Sequence, residues 1–476
     1  AEDQVTIFED VITTIPASAI LGNDVDVDGD PLRIESVSLL PNVPVSAEVN
    51  GDGDIVITPD LNANGTTFFS YTVTDDSDGS DTARIWLTIE AVNDAPTAGN
   101  DAVTGTMNAP LVVRIADLLA NDSDVDVAPA DYLDELDFVS VTPSIGSVSV
   151  YEDMFLVFEL PADYAGPADF TYLIADSEGV TDEADVVATI SDVQLTRYEG
   201  TPEVDLLIGS GLGEQFRALG DDDFIEARGG NDVIVASAGA DRIDGGDGVD
   251  ALDYSESNAG IRVDLQTLIG QGGYAQGDFI TGVENLAGSD FADELYGDGG
   301  RNSLVGGDGA DLLSGRGGDD RLRGDGGDDT LLGDAGADQH IGGGGVDTSD
   351  YSASPEAVQV DLGAAGTSTG GDAEGDRHIL VENLTGSGFD DTLTGDALAN
   401  RIDGGRGDDV IDGAAGDDVL IGGRGADRIT GGEGIDTASY RSSATGVAVD
   451  METASAGSGD AEGDVFEGIE IVEGSF

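Results

Sequence analysis

Two rhythms of apolar residues divide the chain. In residues 1–192, apolar and polar side chains alternate in short runs, as in TFFSYTVTD (67–75), ARIWLTIEAV (83–92) and FTYLIAD (170–176). A period of two, rich in β-branched and aromatic residues, predicts half-buried strands. The half also repeats: ILGNDVDVDGDPLRIESV (20–37) returns as LLANDSDVDVAPADYLDELDFVSV (118–141), and FSYTVTD (69–75) as FTYLIAD (170–176). Two alike units of several short strands predict tandem β-sandwiches over 1–95 and 96–192.

From about residue 196 the period becomes nine. Acidic or amide residues recur as Asp205, Glu214, Asp223, Asp232, Asp241 and Asp250, then as Asp293, Asn302, Asp311, Asp320, Asp329, Asp338 and Asp347. A third register holds Asp391, Asn400, Asp409, Asp418, Asp427 and Asp436. Two residues after most of them stands one apolar residue, such as Ile225, Leu313, Leu322, Ile411 or Leu420, and glycines usually precede the acid. Such a unit predicts a very short strand with one inward side chain, followed by a tight glycine turn. Two units complete a coil, so units n and n+2 stack.

Inserts separate the registers and are themselves repeated, at 253–291, 350–389 and 439–476. The expected division is therefore a first, degenerate run (193–253), an insert (254–292), a second run (293–350), an insert (351–390), a third run (391–439) and a last insert (440–476). The third insert stops where a fourth run is due, which predicts that the native polypeptide continues. His340 and Ser349 replace the inward aliphatic residue, as expected where a run terminates. Leu212, Glu214, Asp221, Leu398 and Asn400 depart from the pattern.

Composition sharpens this picture. The chain has 98 Asp and Glu against 18 basic residues, all arginine, for a formal charge of -80. Such a surface repels nucleic acid and anionic membranes and attracts cations. With no cysteine, disulfides and thiolate metal sites are excluded, and no apolar run is long enough to span a membrane. Carboxylates and glycine carbonyls arrayed in a turn are the ligand set of a hard cation, calcium. Strict spacing and a fixed inward residue argue against solvated, low-complexity turns.

This pattern resembles the RTX calcium-binding repeat over roughly 205–253, 293–350 and 391–439. The resemblance implies a parallel β-roll in which the sixth-position aspartates of units n and n+2, with glycine carbonyls, hold each ion. The implied ligands are Asp223, Asp232, Asp241 and Asp250; Asp293, Asn302, Asp311, Asp320, Asp329, Asp338 and Asp347; and Asp391, Asn400, Asp409, Asp418, Asp427 and Asp436, giving about 13 ions if every pair binds. The sandwiches resemble bacterial cadherin-like repeats of surface adhesins. Asp24, Asp26, Asp28 and Asp30 alternate in NDVDVDGD (23–30), where a loop would wrap them around one cation, and Asp122 and Asp124 belong to the weaker second copy. Asn93 and Asp94 in AVNDAPTA (91–98) match the family's junction motif, and Glu9 and Asp10 its early acidic pair.

The fold class is thus all-β: two Ig/cadherin-like sandwiches followed by parallel β-roll segments. Two histidines, no H-E-x-x-H, no lysine for a phosphate loop and a GTSTG (366–370) outside any strand–helix elbow predict no enzyme. The expected function is a secreted, calcium-dependent structural or adhesive protein of the bacterial surface or matrix. The resemblance implies type I secretion. Expected partners are calcium and, further, the chain itself in a filament or layer, or a cell-surface or polysaccharide ligand; neither nucleic acid nor a membrane span is expected. The alternative is a non-catalytic secretion and folding appendage of an exoenzyme whose catalytic domain lies outside this chain.

Overall fold

The computed structural model describes residues 2–75, 77, 79–125, 136–363 and 368–475. Part of the second aspartate-rich stretch (126–135) and part of GTSTG (366–367) lie outside the described residues. The chain divides into two compact units: Ala1–Val103, Ile115–Ser144 and Asp169–Ala188 form one, and Thr104–Arg114, Ile145–Ala168 and Thr189–Phe476 the other.

In the first unit the period-two segments are strands. A four-stranded sheet runs Asp3–Phe8, Ser80–Glu90, Gly65–Thr74, Arg33–Leu39, beside a three-stranded sheet Thr13–Ile15, Ile55–Pro59, Val45–Val49. Their inward residues, among them Ile7, Ile55, Ile57, Phe69, Tyr71, Ile85 and Leu87, form one buried cluster. Asp137–Pro143, Phe170–Ala175 and Thr181–Ser191 repeat the antiparallel arrangement.

The second unit opens with the antiparallel strands Leu111–Arg114, Phe155–Glu159 and Ser147–Tyr151. Phe155 and Val157 pack on Leu206 and Ile208, covering the apolar end of the first coil. Arg114 and Arg228 pair with Glu203 and Glu159 across the same seam. A solenoid needs such an end cap, because its first coil otherwise exposes its core.

Beyond that cap the period-nine units stack as parallel coils. Leu295, Leu313 and Leu331 are register partners 18 residues apart on one face, and Leu304 and Leu322 on the other. All five are fully buried, one inward side chain per unit. Strands of mostly three residues follow from the sequence: one apolar residue with a flank on each side, then glycine.

The inserts do not interrupt this stack. In the first, Arg262–Asp264, Ile269–Gln271 and Phe279–Thr281 make an antiparallel excursion between Arg242–Asp244 and Glu294–Tyr296, while Asn285–Ala287 resumes the opposite face. One 15-stranded sheet consequently runs from Leu206–Ile208 to Ile471–Glu473 through all three runs. His340 and Ser349 therefore do not mark an end. Gln339–Gly344 pairs with Arg377–Ile379, and Thr348–Asp350 with Asn383–Thr385, because the second insert re-enters both faces in register.

Candidate metal centre

Each turn of the roll carries one acid, and the coils align these acids in two rows. The backbone N–H of each row member donates to Oδ1 of the acid one coil further on. In one row Asp293 donates to Asp311 (2.8 Å), Asp311 to Asp329 (2.9 Å), Asn400 to Asp418 (2.8 Å) and Asp418 to Asp436 (3.0 Å). In the other, Asn302 donates to Asp320 (2.7 Å), Asp320 to Asp338 (2.7 Å), Asp391 to Asp409 (2.8 Å) and Asp409 to Asp427 (3.0 Å). Asp329 reaches Asp347 in the same way. The degenerate first run keeps the pattern: Asp205 donates to Asp223, Glu214 to Asp232, Asp223 to Asp241 and Asp232 to Asp250. Asp221 replaces a glycine there by adopting φ +69° itself.

The rows also cross the inserts, through acids that the nine-residue spacing missed. Asp241 donates to Asp278 and Asp250 to Glu284; Asp338 to Asp376 and Asp347 to Glu382; Asp427 to Asp464 and Asp436 to Glu470. The signal that could have found them is the inward residue two positions later: Ile280, Leu286, His378, Leu384, Phe466 and Val472.

With Oδ1 engaged, the second carboxylate oxygen decides the chemistry. Among the described residues it is buried and without a hydrogen-bond partner in Asp223, Asp232, Asp250, Asp311, Asp320, Asp329, Asp338, Asp347, Asp409, Asp418, Asp427 and Asp436. Backbone carbonyls converge on the same spots. A Cβ built on Gly413 would collide with Asp418 Oδ2 and stand 2.6 Å from the Gly431 carbonyl oxygen. Burial, reinforced by neighbouring carboxylates, raises Asp311 and Asp409 to about 7 and Asp338 to about 8. A buried, unpaired, anionic oxygen is costly unless a cation meets it. An all-oxygen set of carboxylates and carbonyls fits calcium, which would supply that charge and link successive coils.

The sandwich aspartates behave differently. Asp24, Asp26, Asp28 and Asp30 lie on a loop, and three of them turn to different partners. Asp26 Oδ1 accepts the N–H groups of Asp28, Gly29 and Asp30, which hold its carboxyl below the usual range. Asp30 accepts from Ser77, and Asp24 shares the Tyr71 hydroxyl with Asp3. Asn23 donates to Asp3. The second copy rebuilds this cluster, with Tyr172 donating to Asp101 and Asp122 and Asn121 donating to Asp101. Both tyrosines sit in the repeated FSYTVTD and FTYLIAD segments. At the junction, the Asn93 amide donates to Asp176 (2.8 Å), and Glu9 accepts from Val92 while its other oxygen is buried without a partner. The second carboxylate oxygens of Asp94 and Asp124 are buried as well.

The RTX calcium-binding nonapeptide repeat family matches residues 217–252, 280–313, 314–348, 385–420 and 403–438. These coils are RTX repeats. Residues 1–88 match the bacterial Ig domain and 93–192 the bacterial cadherin-like domain; all three families are non-catalytic. Similar solved structures include the human desmocollin-1 ectodomain (9% identity, covering 40% of this chain and 39% of that one, TM-score 0.23) and human CDH23 EC21-23 (18%, 42% and 77%, 0.26). Mouse clustered PcdhgC3 EC1-3 is another (14%, 43% and 72%, 0.24). This chain thus spans about two fifths of the desmocollin ectodomain. No curated protein matches. The families support a calcium-binding extracellular adhesive or structural role. Among the described residues no helix is long and apolar enough to cross a membrane.

The RTX rows also contain positions satisfied by the chain itself. Asn302 and Asn400 donate their amides to the carbonyls of Glu284 and Glu382, both 2.8 Å. Ser289 and Ser387 cap the carboxylates of Asp293 and Asp391 with N–H and hydroxyl. In every insert a buried tyrosine donates to the row aspartate: Tyr254 to Asp278 (2.7 Å), Tyr351 to Asp376 (2.8 Å) and Tyr440 to Asp464 (2.5 Å).

Proposed function

We propose that this chain is a calcium-dependent structural or adhesive module of the bacterial surface or matrix, whose RTX half folds and stiffens when calcium binds. The observation that carries this reading is the repeated buried Oδ2 without a partner, twelve among the described residues. Those twelve are the proposed ligands. Asn302, Asn400, Asp293 and Asp391 are proposed as ends of the ion rows, since the chain supplies their second bond. Asn93, Asp94 and Glu9 are proposed as a junction site that stiffens the sandwiches. A chain of formal charge -80 cannot bury its acids without counter-charge, so low cytoplasmic calcium would keep it unfolded for type I export, and external calcium would fold it. Assembly with copies of itself into a filament or layer is the proposed mode of matrix building. Far-UV circular dichroism and particle size, followed together during a calcium titration, test the reading. A rise in β signal with compaction is expected; identical spectra in chelator and millimolar calcium would overturn it. Calcium-dependent polymers in electron micrographs are expected, and dispersed particles at saturating calcium would reject self-assembly.

A further inference from the structure

The chain has two histidines, His340 and His378. The fold brings them edge to face, with ring centroids 5.2 Å apart. Both occupy inward positions that the other two inserts fill with apolar residues. His340, Ser349 and His378 correspond to Ile243, Leu252 and Ile280 at the first insert, and to Ile429, Ala438 and Phe466 at the third. Here the column of inward residues turns polar, between one buried cluster that holds Leu331 and Val381 and a second that holds Tyr351, Val360 and Leu384. A layer of three polar residues in an otherwise aliphatic core costs stability unless something satisfies it.

The ring of His340 is fully buried and fixed on one side, with Nδ1 2.8 Å from Ser349 Oγ. Its Nε2 has no hydrogen-bond partner and lies 3.9 Å from Asp376 Oδ2. Asp338 Oδ2 is also buried and without a partner. One ligand atom each from Asp338, His340 and Asp376 falls within 4.8 Å of the others. They face one space: a Cβ on Gly333 would collide with Asp338 Oδ2 and stand 2.7 Å from His340 Nε2. Tyr351 ties the cluster together, its hydroxyl 2.8 Å from both Asp376 Oδ2 and His378 Nε2.

We propose that Asp338, His340 and Asp376 form a site for a divalent transition-metal ion of the zinc class, inside the roll at the second insert. An imidazole nitrogen with two carboxylate oxygens suits zinc and its first-row neighbours, whereas calcium takes oxygen ligands. Ligands about 2.0–2.2 Å from a tetrahedral zinc stand roughly 3.3 Å apart, so the trio closes by about an ångström on binding. Ser349 orients the imidazole and Tyr351 the Asp376 carboxylate, as outer partners do in metal sites. Asp338 keeps its Oδ1 bond to the Asp320 N–H (2.7 Å) and offers only Oδ2. This ion would replace calcium at one step of one row, in a roll whose other steps hold calcium.

The test titrates the calcium-saturated chain with Co²⁺ and Zn²⁺. The wild type is expected to take up one tight equivalent of Co²⁺ with the visible absorption of a low-symmetry nitrogen–oxygen site, and Zn²⁺ is expected to displace it. His340→Leu, which extends the neighbouring leucine column, is expected to lose that equivalent while its far-UV spectrum stays native. Its loss of affinity should exceed the roughly 10–100-fold typical of outer-partner changes. Asp376→Asn should also lose it, and His378→Phe should keep it. A wild type with no saturable equivalent, or a His340→Leu chain that binds as the wild type does, would overturn the proposal.

Discussion

At the scale of single residues, the carboxylate of each row aspartate has two separate tasks. One oxygen receives the backbone of the preceding coil, and the other is left for a cation. Asp418→Asn separates them. Asn302 shows that an amide in the row satisfies itself through a carbonyl of the stack, and the Gly431 carbonyl is in place for residue 418. The variant is expected to fold and to bind one calcium fewer by equilibrium dialysis, with an unchanged count rejecting the ligand assignment. At calcium a hundredfold above the dissociation constant, holo stability should fall by about 2.7 kcal/mol. Gly413→Ala should raise the calcium midpoint of folding, because its Cβ meets Asp418 Oδ2 and the Gly431 carbonyl; Gly388→Ala meets nothing within 4 Å and should be silent. Equal midpoints for the two variants, followed by circular dichroism, would contradict the crowding argument.

At the scale of elements, the inserts matter most. Their hairpins widen a face of the roll, yet their last two acids and inward residues rejoin both rows. The nonapeptides were legible in the sequence because their spacing is rigid and Ile411 or Leu420 stands at a fixed offset. The acids Asp278, Glu284, Asp376, Glu382, Asp464 and Glu470 were not legible, because 34 to 38 residues separate them from their row neighbours. Only stacking restores that register. The partners of the aspartates of 23–30 were not legible for a related reason: alternation in the sequence says nothing about which partner each side chain finds, and Tyr71 and Ser77 lie 47 residues from Asp24 and Asp30. Tyr254→Phe examines the insert directly. It removes the donor to Asp278 Oδ2 in a fully buried place, and chemical denaturation in calcium should show a loss of about 1–3 kcal/mol. A loss below the error of the measurement would mean that Asp278 finds another partner.

At the scale of the whole molecule, protons and calcium compete for the same oxygens. Burial first, and then neighbouring carboxylates, raise Asp223, Asp311 and Asp409 to about 7 and Asp338 to about 8. In an unfolded chain an aspartate titrates near 3.9. A raised folded value means that protons favour the metal-free fold: the contribution is complete below about pH 4 and disappears as pH rises through 6 to 8. In chelator, the β signal of the roll should therefore be stronger at pH 5 than at pH 8. With calcium present, the midpoint of calcium binding to the folded roll should move to higher calcium as pH falls from 8 to 5, since each ion must displace protons there. Midpoints independent of pH would show that the row acids are ionised in the metal-free chain.

The three tyrosine–aspartate pairs, finally, bear on where folding begins. A coil of the regular runs has to capture ions and close its turns together, and neither event is favourable alone. At the inserts a neutral phenol meets the row carboxylate without any ion, and the hairpin supplies local antiparallel contacts. A chain emerging into calcium would find its first ordered seeds there. From each seed the stack would grow coil by coil in both directions, so three scattered nuclei would shorten the distance over which any one front must travel.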